Sequence, residues 1–305
     1  MSTNVSSEKL NAYEKLVDAV KKDYATRSYP VTNSEGFPVY VGPCPYEGTK
    51  QINLWSYWQG DLDAKILVLG QDWGCFKGET NKELDKAMEK NFEKIDKQGK
   101  DAAFYFDGTN DYRRSDTDIN LIKLFKVEGL EYEIGAPGCK GLFFSNLCLG
   151  YRNKGYTGGF KVKWLTDDIK YLLGFDNNGE HVKGLLEIIE PSVVICLGKE
   201  VYRIVMRELA RKFPDKDLAI KPRMFYDDLE KKNNYKKVPW NGKEIRIYGV
   251  AHPGNQGRAN RKSQVWTLNN FNEKVRVYDK DNLVTGEDLQ KKDWEHIGEY
   301  VKNLI

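Results

Sequence analysis

The chain has 305 residues, of which 40% are hydrophobic, 12% aromatic and 30% charged, with a formal charge of +3. That length buries a full core in one large domain or two small ones, and the composition is that of a soluble globular protein. The small net charge singles out no partner, and a nucleic-acid binder would have to gather its Lys and Arg on one face.

In chain order, "MSTNVSSEKLNAYEKLVDAVKKDYATR" is polar and then amphipathic. It lacks the apolar core of a signal peptide and predicts a helix over about 8–25. Four short apolar runs follow: "KILVLG" (65–70), "GLFFSNL" (141–147), "SVVICLG" (192–198) and "IRIYGVAH" (245–252). Each is rich in β-branched or aromatic residues and nearly free of polar alternation, the pattern of strands covered on both faces. Residues 77–118 are highly charged and read as a surface insertion folding over the sheet edge. Helical patterns flank the third run, "VKGLLEIIE" (182–190) before it and "KEVYRIVMRELARKF" (199–213) after it. The segment 221–243, with two prolines and clustered lysines, reads as an irregular excursion, and a last helix is predicted over about 287–303. Strands alternating with helices imply an α/β fold, a parallel sheet with helices on both faces, in a single domain over 1–305.

No apolar stretch reaches the ~18 residues of a membrane span, so no membrane partner is expected. The five cysteines, Cys44, Cys75, Cys139, Cys148 and Cys196, are scattered and include no C-x-x-C pair. This argues against a disulfide framework and a zinc site, and fits a reducing compartment, cytoplasm or nucleus.

Ligands of open parallel sheets bind beyond the carboxyl ends of the strands. Three runs end in polar groups suited to a pocket: Gln71 and Asp72, then Asn146, then His252. The third ends in "LGKE", a tight turn opening a helix whose first amides suit a phosphate, with Lys199 beside them. Each residue has a plainer reading: Asp72 as an N-cap, Asn146 as a turn former, His252 as an ordinary turn residue before Pro253. Their coincidence at equivalent strand ends is what sets them apart from these plainer roles.

With these residues in place, the chain resembles the uracil-DNA glycosylase superfamily over a core of about 53–270. The motifs are "LGQDWG" (69–74), "FFSNLC" (143–148), "PSVVICLGKEVY" (191–202) and "AHPGNQGRANR" (251–261), in the family's order. "NLC" at 146–148 and the spacing H-P-x-x-x-x-x-A-N-R from His252 to Arg261 resemble the single-strand-selective monofunctional branch. The first motif departs from it. Asp72 stands where that branch has Asn, and Trp73 and Gly74 stand where Gln-Asp-Pro-Tyr enzymes have Pro-Tyr. The closely spaced cysteines of the iron–sulfur branches are missing, so no cluster is expected. The N-terminal helical arm, the charged insertion and the C-terminal helical tail lie outside the resemblance.

The resemblance implies a three-layer αβα sandwich around a four-stranded parallel sheet. It also implies excision of uracil from DNA after the nucleotide is flipped into a pocket. In this chemistry Asp72 supports the cationic sugar and orients water, and His252 donates a hydrogen bond to O2 of the departing base. Asn146 reads the base: its carbonyl accepts from N3–H and its NH₂ donates to O4, a pattern that cytosine reverses. Gln71 lines the same pocket, and Phe76 stacks on the flipped ring or else packs in the core. Gly74 stands where a Tyr blocks the 5-methyl of thymine, leaving room for 5-substituted uracils.

The loop 254–262 is expected at the DNA, with Gln256 or Arg258 wedging into the vacated stack and Arg261 and Lys262 meeting phosphates. A solvated basic loop is the plainer reading. Lys199 is a further phosphate candidate. No lysine is placed for a Schiff base, so a monofunctional enzyme leaving an abasic site is expected, with no metal or organic cofactor and acting as a monomer. Two readings compete: a nucleic-acid-binding member of the same fold without glycosylase activity, and an unrelated α/β protein binding a small nucleotide. The second lacks both G-x-G-x-x-G and G-x-x-x-x-G-K-[ST].

Overall fold

A computed structural model describes residues 6–26, 29–32, 38–42, 62–71, 73–74, 120–121, 123–125, 141–149, 151–152, 162–214, 218, 235–263, 266–268, 274–276 and 285–304. These residues fall into two compact units, one drawn from 1–113 and 135–192, the other from 114–134 and 193–305. Both are built from strands and helices, so the architecture is α/β.

The first unit opens with helix α1 (Ser7–Thr26). Its buried residues Tyr13, Leu16, Val17 and Val20 recur at the i, i+3, i+4, i+7 spacing of a single apolar face. Lys9 fastens its first turns by an ion pair of 2.9 Å to Asp63, just before the next apolar run. Strands β1 (Tyr29–Thr32) and β2 (Pro38–Gly42) form an antiparallel pair. Then come β3 (Ile66–Gly70), β4 (Trp73–Gly74), β5 (Leu142–Asn146) and β6 (Tyr151–Arg152). β1, β2, β6 and β4 make a four-stranded sheet in that order.

β3 and β5 pair in parallel with Ile66 opposite Leu142 and Gly70 opposite Asn146, so both finish at the same level. Ile66 to Leu69 are all buried, as expected of a strand without polar alternation. The other described elements of the unit are α2 (Val162–Leu173), β7 (Phe175–Asn177), β8 (Glu180–Val182) and α3 (Leu185–Ile189). β7 and β8 form a hairpin through Asn178 and Gly179, whose φ values of 52° and 87° suit the Asn-Gly pair.

The second unit begins with β9 (Val193–Leu197) and α4 (Lys199–Lys212). α4 buries Val201, Tyr202, Val205, Met206 and Leu209, packs on the strands, and ends in Arg211 and Lys212, which suit the negative end of its dipole. β10 (Tyr235–Trp240) and β11 (Lys243–Val250) form a hairpin through Asn241 and Gly242, at φ 48° and 75°. β11 runs parallel to β9, with Val250 opposite Leu197.

This corrects two expectations. The end of the segment 221–243 is a strand, and the strand pairing is mixed because β10 is antiparallel. The reason is local: Asn241-Gly242 adopts the left-handed turn that matches strand twist, and this turn reverses the chain onto β11. Beyond β11 lie α5 (Asn255–Ser263), β12 (Trp266–Leu268), β13 (Lys274–Arg276) and α6 (Gly286–Val301). α6 is capped by Thr285, whose hydroxyl accepts from the Asp288 N–H at 3.1 Å. Its buried stripe is Gly286, Gln290, Asp293, Trp294, Ile297, Gly298 and Val301.

No helix among the described residues is long and apolar enough to cross a membrane. The charged insertion 77–118 lies outside the described residues.

Candidate functional site

In the first unit the candidate residues lie where β3 and β5 end. The chain keeps its pairing past the strands. Leu147 donates its N–H to the Gly70 carbonyl and Cys148 to the Gln71 carbonyl, each at 2.9 Å. The Leu149 N–H then donates to Asp168 of α2, also at 2.9 Å. Three successive amides are thus fixed by three different partners, which holds the backbone that follows Asn146.

The Asn146 side chain lies over Gly70. A Cβ on residue 70 would fall inside van der Waals contact with the Asn146 Oδ1. Any side chain at residue 70 would displace the Asn146 amide, so the first glycine of the motif "LGQDWG" leaves the room that the amide occupies across the pair. Gln71 is half-buried, with its carbonyl already engaged. The backbone of Gly74 is in β4, paired with Arg152 of β6. Asp72 and Phe76 lie outside the described residues.

In the second unit the site centres on His252, two residues beyond β11. Gly254 donates its N–H to the His252 Nδ1 at 3.0 Å. A main-chain amide can only donate, so Nδ1 is the acceptor and the neutral ring carries its proton on Nε2. Desolvation lowers the pKa below the ordinary histidine value. Adding a second proton at Nδ1 would oppose it to the Gly254 N–H, which works in the same direction.

The first turn of α5 follows directly. The start of α4 also abuts the ring's base, since a Cβ on Gly198 would be 3.7 Å from the His252 Cβ. Both helix N-termini disfavour an imidazolium and favour negative charge. Gly198, at φ 103°, is the turn between β9 and α4, and its N–H donates to the Val250 carbonyl at 2.7 Å. Lys199, the first residue of α4, is half-buried.

The stretch 254–262 is not a loop. It is α5, closed at its start by the Arg258 N–H donating to the Gly254 carbonyl at 3.1 Å. Its Gly- and Asn-rich sequence is a poor helix former, and tertiary packing overrides that weakness. Gly257 lies against the His252 main chain so closely that a Cβ would overlap the carbonyl oxygen.

Arg261 requires a second correction. It does not face solvent to meet phosphates: it is 3% exposed and forms a two-bond ion pair with Asp293, 2% exposed, at 2.9 and 3.0 Å. The arginine faces inward because α6 supplies a buried carboxylate that would otherwise be uncompensated. Arg258 is half-buried, with one guanidinium nitrogen 3.3 Å from the Glu287 carboxylate. Gln256 and Lys262 belong to α5, and their side chains lie outside the described residues.

Sequence reasoning missed three residues that shape the surroundings of His252: Asn120, Gly257 and Gln290. One signal was available for the last. Gln290 and Asp293 are polar residues on the apolar stripe of a helix, and buried polar side chains need partners.

No protein-family model matches the chain, and comparison with curated proteins finds no match.

Proposed function

We propose that this chain is a monofunctional DNA glycosylase of the uracil-DNA glycosylase type, with the corresponding αβα sandwich. In this reading it hydrolyses the N-glycosidic bond of uracil, or of a 5-substituted uracil, and leaves an abasic site. One observation carries the reading. His252 is a desolvated imidazole whose Nδ1 already accepts from Gly254, so Nε2–H is its donor.

Cleavage of the C1′–N1 bond sends the bonding pair into the base, where negative charge accumulates on O2. A neutral donor in a desolvated site stabilises that charge without giving up its proton, and preorganised donors of this kind are worth ~2.7–4 kcal/mol each. The helix N-termini beside His252 act with the same sign. Asp72 supports the electron-poor sugar and orients the water that adds to C1′; the added water releases one proton to solvent, and the base anion takes one from solvent. Asn146 reads the Watson–Crick edge, an assignment supported by the empty space that Gly70 leaves for its amide.

The test is a gel assay with uracil-containing single strands and U:G duplexes, followed by alkali. Strand scission at uracil that is lost in Asp72→Asn upholds the reading. Binding without scission would make the chain a nucleic-acid-binding protein of the same fold, and neither binding nor scission would end the assignment. Duplexes carrying 5-hydroxymethyluracil, run alongside, report whether Gly74 leaves room at the 5-position.

A further inference from the structure

The buried stripe of α6 contains two side chains that an apolar face should exclude, Gln290 at 1% and Asp293 at 2% exposure. Both bond to the segment that begins at His252. Asp293 holds Arg261, and Gln290 donates its amide to the His252 carbonyl at 2.8 Å. From another part of the chain, buried Asn120 donates its amide to the Pro253 carbonyl at 2.9 Å. Two consecutive carbonyls ahead of a helix are thus each taken by a buried carboxamide. Neither carboxamide lies in the motif from 251 to 261.

The Asn120 bond has a direct consequence for the imidazole. The Pro253 carbonyl and the Gly254 N–H are the two ends of one planar trans peptide. Asn120 holds the oxygen end, and the nitrogen end donates to the His252 Nδ1. Fixing the carbonyl therefore fixes where the N–H points, and a hydrogen bond accepted at the oxygen polarises that N–H further. Gln290 restrains the preceding peptide, and the bare Cα of Gly257 closes against the same His252 carbonyl. Phe125 and Trp294 meet edge to face with centroids 4.9 Å apart, so the helical residues around 120–125 and α6 brace each other as well.

We propose that Asn120 and Gln290 are positioning residues for His252, with Asn120 acting through the Pro253–Gly254 peptide to hold the ring as its Nε2–H tautomer. The inference rests on the reading of His252 as the donor to the departing base, but its structural content can be read without DNA. It gives the C-terminal helix, which lies beyond the family-like core, a part in the site.

The experiment is long-range ¹H–¹⁵N spectroscopy of the full chain labelled at histidine, in which only His181, His252 and His296 contribute. Wild type should show His252 protonated at Nε2 alone. Asn120→Ala should give a mixture of tautomers at His252 with the other two rings unmoved, and Gln290→Leu should shift the His252 signals in the same direction. Kinetics on uracil-containing DNA should then show kcat reduced by about 10²-fold with KM little changed. A wild-type ring protonated at Nδ1 overturns the proposal even if no variant folds. An unmoved ring in folded Asn120→Ala and Gln290→Leu also overturns it. If wild type proves inactive on every substrate while the tautomer still responds to Asn120→Ala, the positioning role stands and the glycosylase reading falls.

Discussion

Removing the carboxylate of Asp293 tests the most consequential difference between sequence and structure. Arg261 and Asp293 are almost fully enclosed and joined by two bonds of 2.9 and 3.0 Å. A solvent-exposed pair contributes ~0–1 kcal/mol, because water competes for both partners and ordering them costs entropy. At this depth, Asp293→Ala strands a guanidinium away from water, and such single deletions cost ~3–5 kcal/mol. Arg261→Ala strands the carboxylate and belongs in the same range.

The double change Arg261→Met with Asp293→Leu removes both charges and restores packing, so most of that loss should return. Urea unfolding followed by tryptophan fluorescence measures all four proteins. Repeating it at higher salt should leave the differences nearly unchanged, since buried pairs are weakly screened. Single-variant losses below ~1 kcal/mol would refute the reasoning. So would an Arg261→Ala protein of normal stability whose salt dependence of DNA binding falls by about one log-log unit, the signature of a lost phosphate contact.

Two further outcomes follow from the packing around His252. Gly257→Ala should destabilise the protein by ~1–3 kcal/mol in thermal or urea melts, although Ala is the better helix former by about 1 kcal/mol. The added Cβ meets a main-chain carbonyl that cannot rotate away, so a stabilised variant would contradict the packing. For His252, the folded pKa lies below the unfolded value of about 6.5, so the unfolded chain binds more protons between the two. Its contribution to stability is therefore complete above about pH 6.5 and declines as pH falls through the folded pKa. Unfolding free energies measured from neutral to acid pH should drop more steeply in wild type than in His252→Gln; equal slopes would contradict a depressed pKa.

The four apolar strands β3, β5, β9 and β11 and the helices α1 and α6 were legible because burial leaves a mark on composition. Ile66 to Leu69 and Val193 to Leu197 are covered on both faces, and their runs contain no polar alternation. α1 and α6 match the helices predicted over about 8–25 and 287–303, because each presents one apolar stripe at helical spacing. The hairpins at Asn178-Gly179 and Asn241-Gly242 were not predicted, although Asn-Gly is a hairpin turn signal in the sequence. The segment 255–263 was not legible as a helix. Its own residues favour a turn, and it is made helical by contacts to residues far along the chain.

By itself, the sequence determined the α/β class and the placing of Asn146 and His252 at strand ends, since a chain must bury its apolar runs and its polar residues then fall at their limits. The tertiary structure decided how individual polar side chains are used. Arg261 became a buried ion pair because its partner lies 32 residues away on α6, and His252 acquired one tautomer because Asn120 holds the neighbouring peptide. Local pattern reports whether a residue tends toward water or the core. Which partner pays for burying a charge or an amide is settled by folding, which brings distant segments within hydrogen-bonding distance.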